Sequence, residues 1–145
     1  MRIKIGLAED NLEFCQIIQE YLESNGEMQV VGVAHDGLKA LEMVRIVPMD
    51  VLLLDMIMPK IDGIGVLERM RNLKTRPKII IFSAFGHEEM TRKAVELGAD
   101  YFIVKPFDLE ILVQRIKETC GQQSSTPLIK LRFNHDTELE KEISN

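Results

Sequence analysis

Two acidic side chains, Glu9 and Asp10, stand side by side after the apolar run Ile3-Lys4-Ile5-Gly6-Leu7-Ala8, and a third, Asp55, closes the run Val51-Leu52-Leu53-Leu54. A hydroxyl, Ser83, follows Ile79-Ile80-Ile81-Phe82, and an ammonium, Lys105, follows Tyr101-Phe102-Ile103-Val104. Carboxylates brought together in this way repel one another unless a cation lies between them. Asp10 and Asp55, with a backbone carbonyl just after Asp55, offer hard oxygen ligands of the kind Mg2+ takes. Water would complete the set, with Glu9 holding one of those waters. An aspartate with the ordinary pKa of about 3.9 is ionised near neutral pH, so Asp55 can attack phosphorus without a general base. Phosphoryl transfer asks mainly for in-line positioning and charge neutralisation. The metal, the Lys105 ammonium and the Ser83 hydroxyl would each meet one phosphoryl oxygen.

For that chemistry the segments must converge, and the hydrophobic pattern says how. Ile3 to Ala8 reads as a strand, and Phe14, Ile17, Ile18, Tyr21 and Leu22 recur at helical spacing until Gly26. Met28 to Ala34 reads as a second strand, followed by a helix striped by Leu38, Leu41 and Val44 and ended by Pro48. The third strand, Val51 to Leu54, delivers Asp55; Pro59 and Gly63 punctuate the loop before a helix carrying Val66, Leu67 and Met70. The fourth strand ends at Ser83-Ala84, and its helix carries Met90, Ala94 and Leu97 with Gly98 as the stop. The fifth strand ends at Lys105-Pro106, and Asp108 is expected to cap a fifth helix running to about Cys120. Strands three, four and five are apolar without alternation, so both their faces should be covered, as in a parallel sheet between helices. Five such units predict an α/β, doubly wound, five-stranded parallel sheet with five helices, in the flavodoxin-like order 2-1-3-4-5. Sites in such sheets lie beyond the carboxyl ends of the strands, beside the point where strand order reverses. Glu9, Asp10, Asp55, Ser83 and Lys105 all fall at those ends.

Taken singly, each residue has a blander use. Glu9 and Asp10 could end a strand and cap a helix, Asp55 could sit in a turn, Ser83 could cap the next helix, and Lys105 could be a solvated lysine before a loop proline. All of these must hold together, each at a strand's carboxyl end, for the bland reading to stand; the converging site is the better account. Other candidates are weaker. His35, His87 and His135 lack metal-cluster spacing and read as ordinary surface residues. Met56 and Met58 are expected to shape the loop, and Cys15 to pack as a small side chain. Gly63 and Gly65 match neither a Walker loop nor a dinucleotide fingerprint, so a flavin or nucleotide carrier on the same topology is disfavoured.

The bulk properties agree. The chain has 145 residues and 46% hydrophobic content, enough for one core; its net charge of -5 argues against gripping nucleic acid by bulk electrostatics. Its two cysteines are too few for a disulfide framework, and no leader or membrane-spanning run is apparent. A reduced, cytoplasmic setting is expected, with no membrane partner.

Over Met1 to about Cys120 the sequence resembles the response-regulator receiver family. The resemblance rests on Glu9-Asp10-Asn11, Asp55-Met56-Ile57-Met58-Pro59 with Asp62-Gly63, Ser83-Ala84, and Lys105-Pro106-Phe107. Within the family, Ser83-Ala84-Phe85-Gly86 and Lys93 to Ala99 look most like the sporulation regulators of endospore-forming bacteria. The resemblance implies that Asp55 takes a phosphoryl group from a phosphohistidine, on a phosphotransferase or a histidine kinase, and that a phosphatase removes it. It implies metal ligation by Asp10, Asp55 and the Ile57 carbonyl, with Glu9 acting through water, for Mg2+ or, in its place, Mn2+ or Ca2+. Lys105 and Ser83 would bind the phosphoryl group, Ser83 and Phe102 would form a switch pair, and Lys105-Pro106 would be cis. The face from Met90 to Lys117, made by the fourth helix, fifth strand and fifth helix, would carry a homodimer. Glu9 replaces the commoner aspartate and Ser83 the often-seen threonine; the carboxylate and the hydroxyl survive both changes.

The implied role is a signalling domain that catalyses only its own phosphorylation and slow dephosphorylation, not a conventional enzyme. Residues 1–121 would form the receiver. Residues 122–145 open with Gln122-Gln123-Ser124-Ser125-Thr126-Pro127, read as a linker, followed by a weak strand signal at Ile129, Leu131 and Phe133 and a short polar helical turn from Asp136 to Ile143. This tail is too short for the DNA-binding domain that follows sporulation receivers, so any contact with DNA would run through a missing C-terminal domain. A stand-alone receiver acting as a phosphotransfer shuttle is the alternative.

Overall fold

A computed structural model describes residues 2–121. Its elements follow the expected alternation: β1 (Ile3–Ala8), α1 (Leu12–Ser24), β2 (Met28–Ala34), α2 (Gly37–Ile46), β3 (Val51–Asp55), α3 (Gly63–Met70), β4 (Lys78–Ala84), α4 (Glu88–Glu96), β5 (Tyr101–Lys105) and α5 (Leu109–Thr119). All strand pairs are parallel and the sheet order is β2-β1-β3-β4-β5, the order read from the sequence.

Alternate strand residues feed two cores, one on each face of the sheet. Leu52, Leu54, Ile79 and Ile81 point to the side covered by α2, α3 and α4, where Leu41, Leu67, Met70 and Ala94 meet them. Val51, Leu53, Ile80 and Phe82 point to the other, against Ile18 and Leu22 of α1 and Leu112 and Ile116 of α5. Because both faces are buried, β3 has no polar position until Asp55. Truncating a fully buried residue such as Leu67 to alanine would cost about 2–5 kcal/mol.

Three local expectations are corrected. β5, at the sheet edge, is covered less fully than β3 and β4: Tyr101 and Ile103 join one core and Phe102 packs on the other, but Val104 is 40% exposed. Asp108 occupies the position before α5 but makes no side-chain cap bond. Ile17 and Leu38, counted on the apolar stripes of α1 and α2, each leave half their surface in solvent. Those stripes are instead completed by Cys15 and Ala40, small residues that let the helices lie close to the sheet. The expectations for the linker, the weak strand and the helical turn over 122–145, and for His135, lie outside the described residues. Among the described residues no helix is long and apolar enough to cross a membrane.

Candidate functional site

The carboxyl ends of β1, β3, β4 and β5 meet at one edge of the sheet. β1 runs into Glu9, whose backbone N–H still donates to the Ala34 carbonyl of β2, at 2.9 Å, so the residue is held as firmly as the strand before it. Asn11 then caps α1, its side-chain oxygen accepting the Phe14 N–H at 3.0 Å, while its own N–H donates to Glu9 Oε2 at 3.1 Å. The acidic pair thus ends a strand, and the cap belongs to the asparagine beside it. β3 places Asp55 opposite Phe82 of β4, and the next N–H, of Met56, donates to the Phe82 carbonyl.

Glu9 and Asp55 are both buried, whereas Asp10 is exposed. One carboxylate oxygen from each of Glu9, Asp10 and Asp55 lies within 4.8 Å of the others. Into this acidic edge reaches Lys105, whose Nζ donates to Glu9 Oε1 at 2.8 Å and to Asp55 Oδ2 at 3.1 Å. β5 is the far edge strand, so the lysine stem must cross β4; at that level β4 offers only Ser83, opposite Val104, and Ala84, opposite Lys105. The rings of Phe14 and Phe82 lie 5.1 and 5.9 Å from Nζ and form an aromatic cradle beneath it. Burial pulls the Lys105 pKa down, but hydrogen bonds and charge from Glu9 and Asp55 outweigh it, and the net shift is upward. The lysine is therefore a fixed positive charge beside Asp55.

Ser83 is buried, and its Oγ has no hydrogen-bond partner. An unsatisfied buried hydroxyl costs about 1–3 kcal/mol; by register Ser83 lies one residue past Phe82, the partner of Asp55, and opposite Val104, the residue before Lys105. Ile57 is 52% exposed, and its N–H lies 3.4 Å from Asp55 Oδ1. Phe102 is half-buried, packed against the core under α4 and stacked on Tyr101 with ring centroids 5.9 Å apart. The Lys105–Pro106 peptide is cis. Oxygen donors from three carboxylates, with no sulfur among them, suit a hard divalent cation such as Mg2+ better than zinc.

A match to the response regulator receiver domain covers residues 5–117. The chain belongs to this family. Similar solved receivers include the Francisella response regulator 1452 receiver domain, 30% identical with a TM-score of 0.75, covering 83% of this chain and 98% of that one. The receiver domain of the putative response regulator NarL from Mycobacterium tuberculosis is 26% identical, TM-score 0.78, covering 84% of this chain and 98% of that one. The response regulator domain of Thermotoga maritima CheB is also 26% identical, TM-score 0.77, covering 83% and 98%. Receivers are signalling domains of two-component systems, and the acidic edge of this receiver is where the family places its ion.

Sequence reasoning did not foresee the aromatic cradle under Lys105. The helical spacing of Phe14 placed it on the core stripe, but nothing local said that this stripe runs beneath a lysine 91 positions later (105 − 14). Nor did it foresee that Cys15 and His35 stand behind Glu9: Cys15 Sγ is 3.3 Å and His35 Nδ1 3.0 Å from the Glu9 carbonyl oxygen. Burial, with the negative charges of Glu9 and Asp10, pushes the Cys15 thiol up to about 11, so it is protonated at neutral pH and takes no part as a nucleophile.

Proposed function

We propose that this receiver accepts a phosphoryl group on Asp55 from a phosphohistidine protein, a phosphotransferase or a histidine kinase, and passes the event on by a change of shape. The carrying observation is the Asp55 carboxylate clustered with Glu9 and Asp10 and bridged to Glu9 by the Lys105 ammonium, with Ser83 one residue past the strand partner of Asp55. In the transfer, the P–N bond of the donor breaks, its electron pair leaving on the imidazole, as a P–O bond forms to an Asp55 carboxylate oxygen. Asp10, Asp55 and the Ile57 carbonyl would hold a divalent cation, Mg2+ or in its place Mn2+ or Ca2+, whose charge offsets that of the phosphoryl oxygens. Glu9 would orient one of that ion's waters. Lys105 exchanges its bond to Asp55 for one to a phosphoryl oxygen, without a proton having to move, and Ser83 donates to another.

As Ser83 turns toward the phosphoryl group, the space it leaves lets Phe102 turn inward and alters the face of α4, β5 and α5, which would carry a homodimer. The sequence similarity to the stage zero sporulation protein A of endospore formers supports a multistep relay in the cytoplasm, with a phosphatase opposing it. The output would be sporulation transcription, exerted on DNA by an effector domain that residues 122–145 are too short to supply. Incubation with Mg2+ and acetyl phosphate, followed by intact-mass measurement, should add one phosphoryl group to the wild type and none to Asp55→Ala. A label that survives the substitution moves the acceptor elsewhere.

A further inference from the structure

The loop that joins Asp55 to α3 is held from outside by the start of α2. Gly37, the first residue of that helix, is buried so tightly against the loop that a Cβ built on it would fall 1.9 Å from the Ile61 carbonyl oxygen and 2.7 Å from the Ile61 carbonyl carbon. Both are backbone atoms, so no rotamer change relieves the clash. The Gly37 N–H donates to the Pro59 carbonyl at 3.3 Å, and the Ile61 N–H donates to the same oxygen at 2.8 Å, closing a tight turn over Lys60. Lys60 has φ 70, a left-handed conformation that a side chain with a Cβ rarely adopts and that the surroundings must impose. Its Nζ lies 3.5 Å from Asp36 Oδ2, and Asp36 is itself fixed as the cap of α2, its Oδ1 accepting the Lys39 N–H at 2.8 Å. At the loop's other end Gly63 rests on Met56 and Asp55, where a Cβ would fall 2.8 Å from Met56 Cα and 2.9 Å from the Asp55 carbonyl oxygen.

We infer that Asp36 and Gly37 are positioning residues of the acceptor site: by pinning the Pro59–Ile61 turn they set where the Ile57 carbonyl and the Asp55 carboxylate stand. The inference rests on the reading of Asp10, Asp55 and Ile57 as cation ligands. It makes affinity for the cation depend on a helix start that contributes none of those ligands.

The test uses the full chain and Mg2+ alone, followed by amide NMR. Gly37→Ala should weaken Mg2+ binding at least fivefold. Asp36→Ala, which leaves the glycine in place and is the milder change should Gly37→Ala fail to fold, should weaken it about twofold or more. Ile116→Val, a loss of one methylene in the core on the opposite face, serves as a control for destabilisation alone and should bind Mg2+ like the wild type. In the metal-free protein both α2 variants should shift the amide signals of Asp55 to Ile61 more than those of β1. This readout does not depend on the metal, so failure of the wild type to bind Mg2+ would overturn the ligand assignment without deciding the pinning. Wild-type loop shifts in both folded variants, or loop shifts without any change in Mg2+ affinity where the wild type does bind, would overturn the inference.

Discussion

Ser83 and Lys105 make opposite demands on the resting protein. The Ser83 hydroxyl is buried without a partner and so is held at a cost. Ser83→Ala should leave the unphosphorylated receiver as stable as the wild type or up to about 1 kcal/mol more stable in urea unfolding, while shortening the response to acetyl phosphate. Lys105 is the counter-charge for two buried carboxylates. Lys105→Met should cost about 1–3 kcal/mol in metal-free buffer, less than a fully buried pair because the lysine side chain keeps 31% of its surface in water. The sign of its pH dependence follows from the upward shift of its pKa. The stabilisation is fully present below the unfolded value of about 10.4 and disappears as pH rises through the folded one. The stability difference between wild type and Lys105→Met should therefore be constant across neutral pH and shrink only in alkali, as paired urea titrations would reveal.

Helix starts separate two residues that look alike in the sequence. Asn11 caps α1 through a 3.0 Å bond to the Phe14 N–H, while Asp108 precedes α5 without one. Asn11→Ala should lower stability by about 1 kcal/mol, and Asp108→Ala by only a few tenths, in matched thermal melts. That contrast also marks what the chain discloses locally. The strands β3 and β4 are legible because Val51 to Leu54 and Ile79 to Phe82 are unbroken apolar runs ending in a polar residue, and their parallel order follows from the alternation with helices. The acidic edge and its lysine are legible for the same reason: each lies one step past such a run. Lost to view are properties decided by neighbours in space. Val104 belongs to a run like the others, yet its exposure depends on β5 lying at the sheet edge. The cradle of Phe14 and Phe82 depends on α1 and β4 meeting below β5, and the contact of Gly37 with Ile61 on the start of α2 meeting the β3–α3 loop backbone to backbone.

At the scale of the molecule, a crowded acidic edge would couple folding to a bound divalent cation. Mg2+ at a hundredfold its Kd should raise unfolding stability by about 2.7 kcal/mol if it binds the folded state alone. Asp10→Asn, at an exposed carboxylate, should remove most of that gain and leave the metal-free protein no less stable, because one repelling charge is gone. Urea midpoints with and without Mg2+ and EDTA measure both effects.

Glu9 and Lys105 bond to each other across 96 positions of chain. During synthesis, all three acids emerge before the lysine has been translated, so a nascent or prematurely terminated product carries Glu9, Asp10 and Asp55 without their counterion. On the reading of Asp55 as phosphoacceptor, competence would arrive only with the last strand, and an unfinished chain would stay silent to its donor instead of sending a false signal.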